Sequence, residues 1–325
     1  MEAMLQWGLD CIRAIQAHAN VPFNMIMWLV TELGSSYAYL MILPFLFWCI
    51  DEKKCIKLAA AVLISGWVNV ALKLLLDQPR PFFALYDPLV DILHIEEELG
   101  GLPSGHAQNS LVMWIIIASW SKKKWAYPAA GFLCLLIGFS RMYLGMHFPT
   151  DVFAGWIIAG IILCGYFLLS GWIEALLAKR SPRAGVLASA VLAFLMILYQ
   201  PSADVAILKS LFMPAAMILG LGTGYFLCRR YINFSASSYS GKTGAAKYLN
   251  LSLRFLLGIT VMVLLYVASG KLVNLVIETS NYRIFIFLRY AFVAVWVSAG
   301  APALFRLLRL ADDSSENVIH YQEND

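Results

Sequence analysis

Three short runs hold the residues of this chain that could do chemistry on a phosphate group. They are Lys73-x6-Arg80-Pro81, Pro103-Ser104-Gly105-His106 and Ser140-Arg141-x5-His147-x3-Asp151. The cations suit phosphate oxygens, because arginine offers a planar fork of donors and lysine a compact charge. Two histidines and a carboxylate can attack an electrophile and transfer protons. The spacing therefore predicts a phosphate site that also carries a reaction.

The second run predicts an anion site at a helix start. An apolar segment follows Pro103-Ser104-Gly105, and the free N–H groups at a helix N-terminus attract anions. Gly105 lets a ligand approach the backbone, and Ser104 is expected to cap the helix, to donate its hydroxyl to phosphate, or both. The predicted phosphate-binding residues are Lys73, Arg80, Ser104, Gly105 and Arg141.

The third run predicts a histidine that is paired with a carboxylate. His147 and Asp151 are four residues apart at an expected helix start, a spacing that can bring the carboxylate beside the ring. A hydrogen bond to one ring nitrogen fixes the tautomer, and the other nitrogen can then act as a nucleophile. His106 is suited to protonating the leaving oxygen and later activating water. The residues alone do not decide which histidine attacks, but the pairing favours His147.

The composition indicates that membrane helices must position these residues. Hydrophobic residues make up 61% of the 325 residues and charged residues only 14%, against roughly 25% charged in soluble domains. Apolar runs recur at the length of about 20 residues that a bilayer requires. We predict an all-α, polytopic transmembrane bundle of about nine spans. They lie near 30–50, 56–76, 104–121, 125–141, 150–170, 184–200, 209–227, 248–268 and 284–304.

The same pattern predicts four regions along the chain. Residues 1–29 are expected to form an amphipathic interfacial segment, and whether 22–33 add a short extra span is left open. Residues 30–170 are the expected catalytic membrane core, and 171–310 a C-terminal transmembrane extension. The polar, acidic residues 311–325 are expected to form a disordered cytoplasmic tail.

Charge in the connecting segments predicts the orientation. Lysines and arginines recur in every second connection, whereas the segment 77–98 is rich in aspartate and glutamate. Because lysine and arginine are retained in the cytoplasm, the C-terminus is expected inside and the N-terminus outside. All three runs then fall at the outer ends of their spans. We expect an integral protein of a bacterial inner membrane, with its site facing the periplasm.

None of the remaining sequence signals predicts a metal, a cofactor or a nucleotide site. The six cysteines form no CxxC pair and the five histidines no metal-binding motif, so we expect no metal and no cofactor. The run from Ala236 to Thr243 approximates a P-loop but lies in a short connection, and we expect no nucleotide site there. Arg254, inside an apolar run, is expected to extend its charge to the membrane surface.

The three runs resemble the three signature motifs of the type 2 phosphatidic acid phosphatase superfamily. The resemblance covers about residues 56–170 and leaves no motif position substituted. It implies a metal-independent phosphatase with a phosphohistidine intermediate, in which His147 is the nucleophile, Asp151 its partner and His106 the acid and then the base. It also implies that the five predicted phosphate-binding residues hold the phosphate. The span count, the C-terminal extension and the segment 66–69 are similar to glucose-6-phosphatase.

The predicted activity is hydrolysis of a lipid phosphate or polyprenyl phosphate that reaches the site from the bilayer. The expected partners are therefore membrane lipids and the lipid-phosphate substrate, with no nucleic acid, and the oligomeric state is left open. Three alternatives remain: a phosphotransferase on the same scaffold, a soluble sugar-phosphate phosphatase like glucose-6-phosphatase, and a phosphate transporter without chemistry. The paired histidines argue against the transporter, because binding alone does not require an acid opposite a nucleophile.

Overall fold

A computed structural model describes residues 2–81, 99–178, 183–199, 205–238, 243–275 and 281–311, and the regular elements in these ranges are helices. They are α1 Glu2–Gln16, α2 Val21–Glu32, α3 Ser36–Cys49, α4 Glu52–Leu76, α5 Gly105–Ser119, α6 Ala126–Tyr143, α7 Pro149–Ala178, α8 Arg183–Ile197, α9 Val205–Leu227, α10 Gly244–Asn274, α11 Tyr282–Val295 and α12 Ala301–Leu307. Two π-helical turns, Cys228–Ile232 and Trp296–Gly300, extend α9 and join α11 to α12.

The protein is a helical integral membrane protein. Five segments are long and apolar enough to cross a bilayer, and they belong to α4, α7, α9, α10 and the α11–α12 segment. Helices α2 and α3 meet at a bend of 49° and together would make a sixth span. Helices α5 and α8 have 15 residues each, which at about 1.5 Å per residue falls short of a hydrocarbon core of roughly 30 Å. The count of about nine spans therefore stays a prediction.

The helices fall into two compact units. The first consists of the residues up to Tyr39 together with Ile64–Ser170, and it contains all three motifs. The second consists of Leu40–Leu63 and the described residues from Gly171 onward. The predicted domain boundaries stay predictions.

The predicted interfacial segment is folded as two helices that pack on the end of α6. Asn20 caps α2 by accepting a hydrogen bond from the backbone N–H of Phe23 at 3.0 Å. The ring of Phe23 meets that of Tyr143 edge-on, with 4.9 Å between the centroids. From α1, Gln16 Nε2 donates to the carbonyl oxygen of Tyr143 at 2.9 Å. The N-terminal helices therefore support the connection that carries His147.

Arg254 does not extend its charge to a surface as expected. Its side chain is fully buried in the second unit and donates to the backbone carbonyl oxygens of Trp48, Ala236 and Leu310, at 3.3, 3.1 and 2.6 Å, and to that of Ser238. The expectation was wrong because these carbonyl oxygens satisfy the guanidinium donors inside the protein.

Several sequence predictions concern residues that are outside the described ranges. These are the acidic residues of 82–98, the central residues 239–242 of the P-loop-like run, and 312–325 of the predicted tail. Ala311, the first residue of that predicted tail, is described and is buried.

Candidate active site

The motif residues of the first unit lie at or near the ends of four helices. Lys73 lies in the last turn of α4, Arg141 in the last turn of α6, and Asp151 in the first turn of α7, whereas Ser104 precedes α5. The buried motif residues, each at most 6% exposed, are Lys73, Arg80, Ser104, Arg141, His147 and Asp151. Burial of so many polar groups requires hydrogen-bond partners inside the protein.

His147 and Asp151 form the predicted pair. His147 Nδ1 lies 3.2 Å from Asp151 Oδ2, which also accepts a hydrogen bond from the backbone N–H of Phe148 at 3.0 Å. Asp151 is the third residue of α7, so its carboxylate also caps the helix start. An ionised carboxylate only accepts hydrogen bonds, and this arrangement therefore assigns the imidazole proton to Nδ1.

Arg80 faces the other nitrogen of the same ring. Its Nη1 lies 3.2 Å from His147 Nε2 and 3.3 Å from the carbonyl oxygen of Met146, and its Nε donates to the carbonyl oxygen of Leu99 at 2.9 Å. Since a guanidinium can only donate, Nε2 is the unprotonated nitrogen and its electron pair accepts this hydrogen bond. The nitrogen suited to attack thus faces a cation suited to hold phosphoryl oxygens.

Lys73 fastens a loop to the end of α4. Its ammonium donates to the carbonyl oxygens of Gly100 and Gly101, the latter at 3.3 Å. The backbone N–H of Gly101 in turn donates to the carbonyl oxygen of Gln78 at 2.7 Å. The segment that leads into α5 is thereby held against the segment that follows α4.

The start of α5 is fixed by the predicted Ser104 cap and by a contact from Asn69 that sequence reasoning missed. Ser104 caps the helix by accepting from Ala107 N, and its own N–H donates to the backbone carbonyl of Asp151 at 2.9 Å. Asn69 Nδ2 donates to the carbonyl oxygen of Pro103 at 3.2 Å. A Cβ atom on Gly105 would lie 3.0 Å from Asn69 Oδ1. Gly105 thus allows close packing against Asn69, and its contact with a ligand stays a prediction.

The end of α2 and the connection between α2 and α3 border the remaining two motif residues. Arg141 Nη1 donates to Thr31 Oγ1 at 3.2 Å. A Cβ atom on Gly34 would lie 3.3 Å from Cδ2 of His106, which is a half-buried residue. Residues from α2 and the α2–α3 connection therefore contribute to the site.

The surroundings keep His147 neutral. Burial lowers the pKa of His147 well below 6.5, and the charges of Arg80, Lys73 and Arg141 lower it further, with a smaller contribution from His106. Burial disfavours the charged imidazolium, and neighbouring cations repel it. A neutral ring keeps the electron pair that a nucleophile needs.

Three residues of this site were not selected by sequence reasoning. Gln78 contacts Asp151, and Thr31 contacts Arg141. Asn69 contacts the start of α5. Asn69 and Thr31 carried a signal, because polar residues inside apolar segments are candidates for function. Gln78 lies between two motif cations, and nothing in its position alone distinguishes it.

Within the described ranges, no three histidine, cysteine, aspartate or glutamate side chains are grouped so that they could hold a metal ion. The absence of a metal from the reaction stays a prediction.

Two family models match the chain. Residues 54–175 match the PAP2 superfamily, and residues 212–313 match the transmembrane extension of PAP2 superfamily phosphatases. The chain is 31% identical over 156 residues to undecaprenyl-diphosphatase BcrC of Bacillus subtilis (strain 168), an alignment that covers 47% of this chain and 78% of that protein. The chain belongs to the PAP2 superfamily, and the predicted resemblance to that superfamily is confirmed.

Two further relatives are similar to parts of the chain. Phosphatidylglycerophosphatase B of Bacillus subtilis (strain 168) is 36% identical over 116 residues, which cover 33% of this chain and 52% of that protein. Glucose-6-phosphatase 3 of Rattus norvegicus is 27% identical over 203 residues, which cover 56% of this chain and 55% of that protein. The chain thus spans only about half the length of these two relatives.

Proposed function

We propose that this protein is an integral-membrane phosphatase that hydrolyses a lipid phosphate or polyprenyl phosphate through a phosphohistidine intermediate. The proposal rests on the position of the His147 ring. Its Nδ1 lies 3.2 Å from Asp151 Oδ2, and its Nε2 lies 3.2 Å from Arg80 Nη1. One side of the ring is oriented by a carboxylate, and the other faces a phosphate-binding group.

In the first step, Arg80, Lys73 and Arg141 exchange hydrogen bonds within the protein for hydrogen bonds to the phosphoryl oxygens of the substrate. His147 Nε2 attacks phosphorus, and the bond from phosphorus to the alcohol oxygen of the substrate breaks. His106, which is protonated once the bound phosphate anion offsets the neighbouring cations, gives its proton to the leaving oxygen, while Asp151 stabilises the charge on the His147 ring.

In the second step, water attacks the phosphorus of phosphohistidine. Neutral His106 takes a proton from that water, the bond between phosphorus and Nε2 breaks, and its electron pair returns to the His147 ring. Inorganic phosphate leaves. Preorganised cations stabilise the transferring group in both steps, so the proposed reaction requires no metal ion.

The depth of the site supports a lipid substrate. Lys73 lies in the last turn of α4 and Asp151 in the first turn of α7, and both helices are long and apolar enough to span a membrane. A phosphate at their ends lies near the lipid headgroups, where a phospholipid or polyprenyl phosphate presents its own phosphate. The names of the two Bacillus subtilis relatives describe enzymes for substrates of this kind.

The test is a substrate panel with purified protein in detergent. Phosphatidic acid, a polyprenyl phosphate and glucose 6-phosphate are compared for release of inorganic phosphate, each with and without EDTA. We expect each of the two lipid substrates to be hydrolysed at the same rate with EDTA as without it. A preference for glucose 6-phosphate would favour the sugar-phosphate alternative, phosphate found on a lipid alcohol would favour the phosphotransferase, and loss of activity in EDTA would contradict the metal-free mechanism.

Two histidine variants test the nucleophile. His147→Gln should abolish turnover, whereas His18→Gln, at an exposed position in the connection between α1 and α2, should not. Acid-labile phosphate should form on the wild-type protein in a rapid quench and be absent from His147→Gln. Full activity of His147→Gln would refute the assignment.

We further propose that the protein lies in a bacterial inner membrane with its site on the periplasmic side and its C-terminus in the cytoplasm. The distribution of lysine and arginine supports this orientation. The test is a C-terminal fusion to a reporter that is active only in the cytoplasm. The matched control is the same fusion to a reporter that is active only in the periplasm. Periplasmic activity of the fusion would reverse the orientation.

A further inference from the structure

Gln78 is a buried side chain that none of the proposed steps uses. It is 7% exposed, and its Nε2 donates to Asp151 Oδ1 at 2.9 Å. The other carboxylate oxygen, Oδ2, is held by His147 Nδ1 and by the backbone N–H of Phe148. Both oxygens of the carboxylate are therefore bound, each by a different segment of the chain.

The backbone around Gln78 is itself fixed. Its carbonyl oxygen accepts from the N–H of Gly101 at 2.7 Å, and a Cβ atom on Gly100 would lie 3.0 Å from that same oxygen. A Cβ atom on Gly101 would lie 2.9 Å from Asp151 Oδ2. The two segments thus enclose the carboxylate, and Gln78 donates to it from a defined position.

We propose that Gln78 is a positioning residue for the reaction: it holds Asp151 Oδ1 so that Oδ2 stays directed at Nδ1 of His147. The inference rests on the proposed function, because it concerns the orientation of the proposed nucleophile. The terminal torsion of an aspartate is broad, so a carboxylate bound through only one oxygen can turn. A turned carboxylate no longer fixes the ring tautomer that leaves Nε2 free to attack.

The electrostatic surroundings explain why an amide is suited to this place. Asp151 faces His147 and Gln78, and the cations Lys73 and Arg80 are within electrostatic range. An amide donates a hydrogen bond without adding charge, whereas a carboxylate there would repel Asp151 and attract a cation away from the phosphate site.

Two variants separate positioning from packing. Gln78→Leu removes the donor, and we expect kcat to fall about 10- to 100-fold, as for loss of a hydrogen bond to a charged group. The KM should stay within about threefold, because Gln78 is not among the residues that hold the phosphate. Gln78→Glu keeps the size and replaces the amide by a carboxyl group. Protonated at low pH, the introduced carboxyl can donate to Oδ1; ionised at higher pH, it cannot.

The readout is the ratio of variant to wild-type kcat between about pH 5 and pH 8, across the range where a carboxyl beside another carboxylate titrates. We expect the ratio for Gln78→Glu to rise toward acid pH and the ratio for Gln78→Leu to stay low at every pH. A purely structural role would lower both ratios without this difference.

The matched control is Gln6, which also donates to an aspartate, since its Nε2 lies 3.0 Å from Asp10 Oδ1 on the exposed face of α1. Gln6→Glu should show wild-type kcat at every pH. Thermal unfolding in detergent should confirm that all variants are folded.

Unchanged kcat in Gln78→Leu, or a Gln78→Glu ratio independent of pH, would overturn the inference while leaving the proposed function intact. A wild-type protein that hydrolyses no phosphate ester would instead overturn the proposed function itself. The two failures are thus distinguishable.

Discussion

Thr31 and Arg141 are 110 residues apart in the chain, yet the Thr31 hydroxyl oxygen accepts a hydrogen bond from Arg141 Nη1 at 3.2 Å. Both side chains are buried. The bond joins α2 to the last turn of α6, so a helix outside the region matched by the PAP2 superfamily model orients one of the proposed phosphate-binding cations.

Removal of this hydroxyl should weaken substrate binding. In Thr31→Val the guanidinium loses an acceptor and becomes less well oriented, so we expect KM to rise and kcat/KM to fall about tenfold, as for a hydrogen bond to a charged group. Steady-state phosphate release measures both parameters. Thr260→Val, at an exposed position of α10, should leave them unchanged. Equal kinetics of Thr31→Val and wild type would contradict the role of Thr31.

Substitution of Asp151 should affect turnover more than binding. In Asp151→Asn the side chain keeps its size but loses the charge that orients His147 and stabilises its cationic form. We expect kcat to fall about a thousandfold or more, by analogy with other histidine–aspartate pairs. The exposed Asp10, which pairs with Arg13 in α1, supplies the control Asp10→Asn. If Asp151→Asn kept more than a tenth of the wild-type kcat, the pair would have no catalytic role, by the same comparison.

A single methyl group next to the carboxylate should also inactivate the site. In Gly101→Ala the new Cβ atom would lie 2.9 Å from Asp151 Oδ2 and 3.2 Å from the carbonyl oxygen of Pro79, so the loop or the carboxylate must shift. We expect loss of phosphate release with little change in thermal unfolding. Gly131→Ala, in α6 with no atom within 4 Å of the new methyl group, should keep full activity. An active Gly101→Ala would show that the loop moves without cost.

The pH dependence should reflect the lowered pKa of His147. Only the neutral ring can attack, so kcat/KM is lost as the pH falls through the pKa of this ring in the free enzyme. Because burial and then the neighbouring cations lower that pKa below 6.5, this loss should begin below pH 6.5. The measurement is kcat/KM against pH, corrected for ionisation of the substrate. A midpoint above 6.5 assigned to His147 would contradict the described surroundings.

Replacement of Arg254 should destabilise the protein without touching the candidate site. Arg254→Leu leaves the carbonyl oxygens of Trp48, Ala236 and Leu310 without this donor, and each buried unsatisfied group costs about 1–3 kcal/mol. We expect a clearly lower unfolding temperature in detergent. Arg230→Leu, at an exposed position, should change it little. An unchanged unfolding temperature for Arg254→Leu would mean that other donors replace the guanidinium.

The sequence by itself determined the helical membrane class, the superfamily and the residues selected for chemistry. Each of these follows from local patterns. Apolar length predicts a membrane helix, the four-residue spacing predicts the contact between His147 and Asp151, and a serine before an apolar run predicts the cap of α5. Such relationships act within one or two turns of a helix and are therefore visible in the order of residues.

Only the tertiary structure decided which groups support those residues. Gln78 and Asp151 are 73 residues apart and Thr31 and Arg141 are 110 apart, and no local rule connects them. The burial of Arg254 was misjudged for the same reason, since its acceptors come from three distant segments. A buried polar group takes its partners from whatever segments pack around it, and that packing is settled only when the whole chain has folded.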